Sequence, residues 1–353
     1  MPLLRDFAEW AWYGRGAAAG AVRLALAPWS WLFARIVARR NARYDAAIAL
    51  GTMPALSIGN LTVGGTGKTP VASWFATRLA ARGARPAIVL RGYGDDEWRV
   101  HQRLTPGLPV VIDADRVRAM QSARQQHADC AVLDDAFQHR RAARVANVVL
   151  ISADRFDETV RLLPSGPYRE PLSALRRATA VVITVKAVGT DAVLRVERAI
   201  RRVVAAMPIA VVRLEPGALV RMSPVSENGA SDELAFGDLG ERAVVLVSAI
   251  ADPGAFERQI VAAGVRVVRH FRHPDHHAFS GADVAAIDAA AGPEGTVVCT
   301  LKDAVKLAPV WPRARATLWY VSQTLVVDRG AEVLERECDR VLAARTAAGP
   351  TVG

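Results

Sequence analysis

Three cysteines, Cys130, Cys299 and Cys338, are scattered along 353 residues. They form no CxxC pair and no even framework, which argues against a disulfide scaffold and a structural zinc site; reduced thiols in a cytosolic body are expected. Lysine is also scarce: of 45 basic residues only Lys68, Lys186, Lys302 and Lys306 are lysines. Where composition favours arginine, lysine should persist mainly where a compact point charge cannot be exchanged for a planar fork. That singles out Lys68 and the closely spaced Lys302 and Lys306. Long apolar runs are missing near the N-terminus, where the longest uncharged stretch, Leu24 to Ala34, has 11 residues and contains Pro28. A span needs ~20 apolar residues. RNA-binding and helix-turn-helix signatures are absent too, so nucleic acid is not expected as the anionic partner that a net charge of +10 implies.

The first 45 residues hold Trp10, Trp12, Trp29 and Trp31, four of the eight tryptophans, with Tyr13, Phe33 and seven arginines. Such rings settle at headgroup level and arginines snorkel to anionic lipid, so an interfacial helix pair on a membrane surface is expected rather than a transmembrane helix. Asp6, Glu9, Arg15 and Arg23 make a poor signal peptide. The cluster Arg35, Arg39, Arg40 and Arg43 suits a cytoplasmic membrane face.

Beyond the anchor, the apolar run Ala55–Gly59 reads as a buried strand, and Val71, Phe75 and Leu79 recur at helical spacing up to Gly83. Between them lies Thr62-Val63-Gly64-Gly65-Thr66-Gly67-Lys68-Thr69. Strand, glycine-rich loop and helix together form the context of a P-loop. The glycines let several N–H groups face one phosphate at a helix N-terminus. Lys68 would reach the β- and γ-phosphates of a nucleoside triphosphate, and the Thr69 hydroxyl would hold Mg²⁺. Thr62 stands where the strict pattern has glycine.

Further strands are expected at Pro86–Leu90, Pro109–Ile112, Cys130–Leu133, Ala146–Ile151 and Ala180–Thr184. A second series follows at Ile209–Leu214, Ala243–Ser248, Val265–His270, Thr296–Thr300 and Thr317–Val321. Helical patterns fall at Val71–Arg82, Asp115–Gln126, Ala255–Ala263, Ala282–Ala291 and Glu332–Ala344. The alternation predicts an α/β fold of P-loop NTPase type: a mostly parallel sheet with helices on both faces, a second smaller α/β domain, and an N-terminal membrane-associated helical segment. The expected division is 1–45 anchor, 46–205 core and 206–353 C-terminal domain. Ser223–Gly240 reads as a linker or hairpin, and Ala347–Gly353 as a disordered tail.

Cys130–Leu133 runs into Asp134-Asp135, the form of a Walker B strand whose first acid would lie beside the P-loop and share Mg²⁺ with Thr69. Arg91-Gly92-Tyr93-Gly94-Asp95-Asp96-Glu97 also follows a strand and projects its acids to the same crevice. Four of seven histidines lie in Arg269–His277. Phosphoryl transfer to an alcohol needs an acceptor for the hydroxyl proton, and an Asp held by a His can serve; Asp96 with His276 is one such pairing.

These blocks occur in one order with Leu163-Pro164-Ser165-Gly166-Pro167-Tyr168-Arg169-Glu170-Pro171, Asp275-His276-His277 and Thr300-Leu301-Lys302-Asp303-Ala304-Val305-Lys306. That order resembles the tetraacyldisaccharide 4′-kinase family, from about the anchor to the last lysine motif. The resemblance implies ATP- and Mg²⁺-dependent phosphorylation of the 4′-hydroxyl of a tetraacyldisaccharide 1-phosphate in lipid A biosynthesis, at the cytoplasmic face of the bacterial inner membrane. It implies an acylated disaccharide and the lipid surface as partners, with no obligate protein partner. Asp96 and His276 take the catalytic positions; residues 62–69 the nucleotide; Thr69, Glu97 and Asp134 the metal; Asn60, Arg91, Asp135, Gln138, His139 and Arg169 the substrate. Arg140 and Arg141 share the cationic rim with Arg169. The sequence departs from the family pattern at Trp98 for Pro, Ala136 for Gly and Leu301 for Glu, and a shortened segment after Gly94 leaves the register open between Asp95 and Asp96. The competing reading is a membrane-associated switch ATPase of the deviant P-loop type, which carries lysine where this chain has Val63.

Overall fold

The computed structural model describes residues 2–45, 51–92, 96–222, 232–239, 242–250, 252–275, 277–311 and 316–347. Asp95, His276, the tail beyond 347 and most of the expected 223–240 linker lie outside them.

Two helices open the chain, α1 (Pro2–Tyr13) and α2 (Ala17–Asp45). Pro28 removes one rung of the hydrogen-bond ladder without ending α2. By length and composition α2 suffices to cross a membrane over Ala17–Tyr44, more than the short run around Pro28 suggested, and almost none of it is covered by protein.

The first block follows: β1 (Ala55–Asn60), α3 (Lys68–Ala81), β2 (Pro86–Leu90), α4 (Glu97–Leu104), β3 (Val110–Ile112), α5 (Arg116–Gln125), β4 (Cys130–Leu133), β5 (Ala146–Ser152), β6 (Ala180–Val185) and α6 (Thr190–Val203). The second comprises β7 (Ile209–Arg221), β8 (Glu233–Leu234), β9 (Ala243–Ser248), α7 (Pro253–Ala262), β10 (Arg266–Arg272), α8 (Gly281–Ala291), β11 (Thr296–Thr300), α9 (Leu301–Leu307), β12 (Thr317–Arg329) and α10 (Ala331–Ala347). Strands β1, β2, β4, β5 and β6 are buried along their whole length, as parallel strands covered on both faces must be. Leu56, Ile58, Val132 and Val148 face α3, while Val89, Ala131 and Leu133 face α5.

The described strands form one sheet, in the order β10-β9-β11-β12-β7-β6-β5-β1-β4-β2-β3, with β8 on β7. The neighbours from β3 to β7 and from β10 to β12 are parallel, β8 pairs antiparallel with β7, and the two parallel runs meet through the long antiparallel pair β7·β12. Its register decides where the site lies. Val185 at the end of β6 pairs with Arg213, and Thr300 at the end of β11 pairs with Val321. Between these points Pro216 pairs with Gln323 at a register shift. The carboxyl ends of both parallel blocks therefore converge on the middle of one ribbon. The division expected at residue 205 is crossed by α10: Val333, Leu334, Cys338 and Val341 on one apolar face pack into the core of the first block.

Candidate active site

The loop between β1 and α3 is fixed from several sides. Gly64 (φ 111°) and Gly67 (φ 81°) take left-handed backbone, and a Cβ on Gly67 would sit 2.4 Å from Leu214 Cδ1. Among the described non-glycine residues only His127 and Asp135 have positive φ, so Thr62 keeps ordinary backbone and needs no glycine; it bridges Tyr168 instead. Thr66 Oγ1 accepts from Asn60 Nδ2 (3.0 Å), and its carbonyl accepts from Thr184 Oγ1 (3.0 Å). Val63 N–H donates to Pro167 O (2.8 Å) and Arg169 N–H to Leu61 O (2.7 Å), so the 162–170 segment walls the loop. Lys68 and Thr69 lie on the first turn of α3.

Lys68 Nζ is 3.7 Å from Asp135 Oδ1, and Arg169 pairs with the same oxygen at 3.0 Å while also donating to Asn60 Oδ1. Desolvation would raise the Asp135 carboxyl, but the Lys68 and Arg169 cations outweigh it and hold it below the usual range. Gln138 Nε2 donates to Asn60 O (2.8 Å). His139, on the same rim, has its imidazole pushed down to about 4, first by burial and then by the Arg116 and Arg144 charges. Arg140 donates to Asn41 O of α2 (2.8 Å), and Arg141 lies 3.6 Å from Asp115. Arg91 sits exposed at the end of β2.

A second layer comes from α4. Asp96 stands at its N-cap position at 2% exposure, without a side-chain capping bond, and Lys306 Nζ lies 3.0 Å from its Oδ2. The Glu97 carboxyl is raised, chiefly by burial and next by the negative charge of Asp134. Asp134 Oδ1 accepts from Asp135 N–H (2.8 Å), and Oδ2 bonds His101 Nε2 (2.9 Å). Arg116, also buried, donates to the Asp134 carbonyl (3.2 Å). Across the cleft, Asp303 bonds Thr300 Oγ1 (2.7 Å) and Ala249 N–H (3.1 Å), fixing the start of α9. Lys302 and Lys306, one turn apart, then share a face towards α4, and the Lys302 charge partly counters the rise at Glu97.

The site thus joins a glycine-rich loop at the start of α3, two acidic pairs and a lysine face from the opposite block. The profile of the tetraacyldisaccharide-1-P 4′-kinase family, LpxK, matches residues 22–107 and 94–342. The chain belongs to this family. It is 37% identical over 350 residues to the tetraacyldisaccharide 4′-kinase of Anaeromyxobacter dehalogenans strain 2CP-C, covering 91% of this chain and 90% of that one. It is 32% identical to the Halorhodospira halophila enzyme of the same name, covering 84% and 87%. Among solved structures, LpxK from Aquifex aeolicus in complex with ATP is similar at TM-score 0.71 and 26% identity, covering 91% of this chain and 99% of that one.

In this LpxK-family chain, contacts link Asn60, Thr66, Lys68, Asp135, Gln138 and Arg169, and the Asp134 charge separately acts on Glu97. Asp96 pairs with Lys306; the expected partner His276 lies outside the described residues. Nearby, His273 and His277 rings stack at 4.5 Å and His277 Nε2 bonds Asp283 Oδ2 (3.1 Å). His273, His277 and Asp283 are the described His/Cys/Asp/Glu group close enough to share a metal ion, but parallel rings cannot both direct lone pairs at one ion, and Asp283 already caps α8. Sequence reading did not identify Ser73, His101 or Arg116. The burial of a histidine and an arginine between elements depends on packing that no local pattern records.

Proposed function

We propose that this LpxK-family enzyme transfers the γ-phosphate of ATP to the 4′-hydroxyl of a tetraacyldisaccharide 1-phosphate at the cytoplasmic face of a membrane, with Mg²⁺. The observation that carries the reading is the convergence of the Lys68 cradle and Asp96 between two facing strand edges. Residues 62–69 grip the triphosphate through loop amides and the Lys68 ammonium, as a helix N-terminus is suited to do. Asp96 accepts the proton of the sugar hydroxyl, with His276 as its partner, and Lys306 pairs with the Asp96 carboxylate. Asn60, Arg91, Asp135, Gln138, His139 and Arg169 line the acceptor side, where arginine forks match phosphate oxygens.

The donors available for Mg²⁺ are all oxygen: the Thr69 hydroxyl and the Glu97 and Asp134 carboxylates, a set suited to a hard cation. Glu97 is raised chiefly by burial and next by the Asp134 charge, and a divalent cation would relieve that second contribution. When bound, Mg²⁺ would neutralise charge on the β- and γ-phosphates.

Membrane placement follows from the anchor. Trp29, Trp31, Leu24 and Ile36 on α2, with Phe7 and Trp10 on α1, are exposed, and Arg35 lies over the Trp31 ring. The same helices bond the wall of the cradle: Trp12 Nε1 to Pro164 O (2.9 Å), Ser30 Oγ to Leu162 O (2.9 Å) and Ser165 Oγ to Arg23 O (2.9 Å). An acyl-anchored sugar can then react without leaving the bilayer, where each exposed CH₂ would cost ~0.8 kcal/mol. Two units, 46–205 and 206–353 with α10 returned to the first, would close over the nucleotide to exclude water. The test is incubation with ATP and the monophosphorylated tetraacyl disaccharide in micelles, read by mass spectrometry. The expected product gains one phosphate on the distal sugar; an unchanged lipid contradicts the reading.

A further inference from the structure

His101 is fully buried, one helical turn beyond Glu97 on α4, and its ring joins three elements. Nε2 lies 2.9 Å from Asp134 Oδ2 on β4, and Nδ1 lies 3.1 Å from Ser73 Oγ on α3. An ionised carboxylate can only accept, so Nε2 carries the hydrogen; in the neutral ring Nδ1 then accepts from the Ser73 hydroxyl. The second carboxylate oxygen is held by the Asp135 amide at 2.8 Å. Both oxygens of Asp134 are therefore engaged by donors of fixed direction, which leaves one acceptor site on each.

We infer that His101 is a positioning residue: the chain Ser73–His101–Asp134 sets the orientation of the Asp134 carboxylate, and hence the strength with which the site takes a divalent cation. The inference rests on the proposed function, which gives that cation to Asp134. Two physical points support it. A buried polar trio contributes little net stability compared with an apolar filling of the same shape, so a role confined to packing would be met as well by leucine. Partners that orient metal-holding side chains influence affinity strongly, because the ligand need not be reorganised when the ion arrives. The i, i+4 spacing also places Glu97 and His101 on one face of α4, so a single helix would supply one ligand and orient the other.

The test is divalent binding, apart from turnover. Mn²⁺ is titrated by electron paramagnetic resonance into the full-length protein with a non-hydrolysable ATP analogue, for wild type, His101→Leu, His101→Gln and Ser73→Ala. Thermal melts report folding, and analogue affinity is measured without metal. His101→Leu is expected to weaken Mn²⁺ binding by about 10- to 100-fold with metal-free nucleotide affinity unchanged. His101→Gln, whose amide can donate to Asp134 from a similar position, should recover most of the loss. Wild-type Mn²⁺ affinity in folded His101→Leu overturns the inference. If that variant does not fold, the other two decide: weakened Ser73→Ala beside near-normal His101→Gln supports it, and two unchanged affinities overturn it. Absence of Mn²⁺ binding in the wild type would instead count against the proposed function itself.

Discussion

Lys306 and Asp96 form an ion pair between opposite blocks, with the carboxylate almost wholly removed from solvent. Lys306→Ala removes the cation facing that buried carboxylate and weakens it as the proposed base. Turnover at saturating ATP should fall by about 10²–10⁴-fold, measured as initial phosphoryl-transfer rate; a rate within a factor of two of wild type would separate Lys306 from the chemistry. His139 supplies a pH dependence. Its imidazole is depressed to about 4 in the fold, whereas the unfolded ring titrates near ~6.5. The preference for the neutral ring is intact above the unfolded value and is lost as pH falls from ~6.5 through about 4, because only the unfolded chain gains the proton. Melting temperature should drop across that window in wild type and drop less in His139→Gln. At this scale the cradle was legible because its chemistry is contiguous: Gly64 to Thr69 carry their meaning in order. The scarcity of lysine pointed to Lys306 without naming its partner. Ser73 and His101 stand 28 residues apart, and only packing brings them together.

At the scale of elements, α1 and α2 make the clearest prediction. Their exposed indoles have no protein to cover them among the described residues, while Ser30, Arg23 and Trp12 tie the helices to the cradle wall. Trp29→Glu with Trp31→Glu should abolish sedimentation with anionic vesicles while leaving nucleotide affinity in detergent intact; retained vesicle binding would place the membrane contact elsewhere. Buried strands such as β2, β4, β9 and β11 were legible to the residue, since parallel strands covered twice read as short apolar runs. Helices α4 and α9 were not. Glu97–Leu104 is mostly polar and Leu301–Leu307 has two turns, so neither shows a sustained apolar period. Strands β7 and β12 run past their expected ends, β7 through Pro216-Gly217. At a register shift proline's missing donor is tolerated, and glycine gives room where Ser322 Oγ would stand 2.4 Å from a Cβ.

The whole molecule places two parallel blocks end to end on one ribbon, so that their carboxyl edges face each other across a cleft, with the anchor bonded to the cleft's wall. The alternation of strands and helices made this α/β class legible. The return of α10 to the first block was not, because its apolar face states that it must be buried and not where. The arrangement requires the triphosphate grip and the lipid acceptor to act together. The most direct test follows the label from γ-labelled ATP with the monophosphorylated tetraacyl disaccharide embedded in lipid nanodiscs, for wild type and Lys68→Ala. The account predicts label on the 4′ position of the lipid with wild type and none with Lys68→Ala. Label released as inorganic phosphate at the same rate with or without the acceptor, or undiminished lipid labelling by Lys68→Ala, would contradict it.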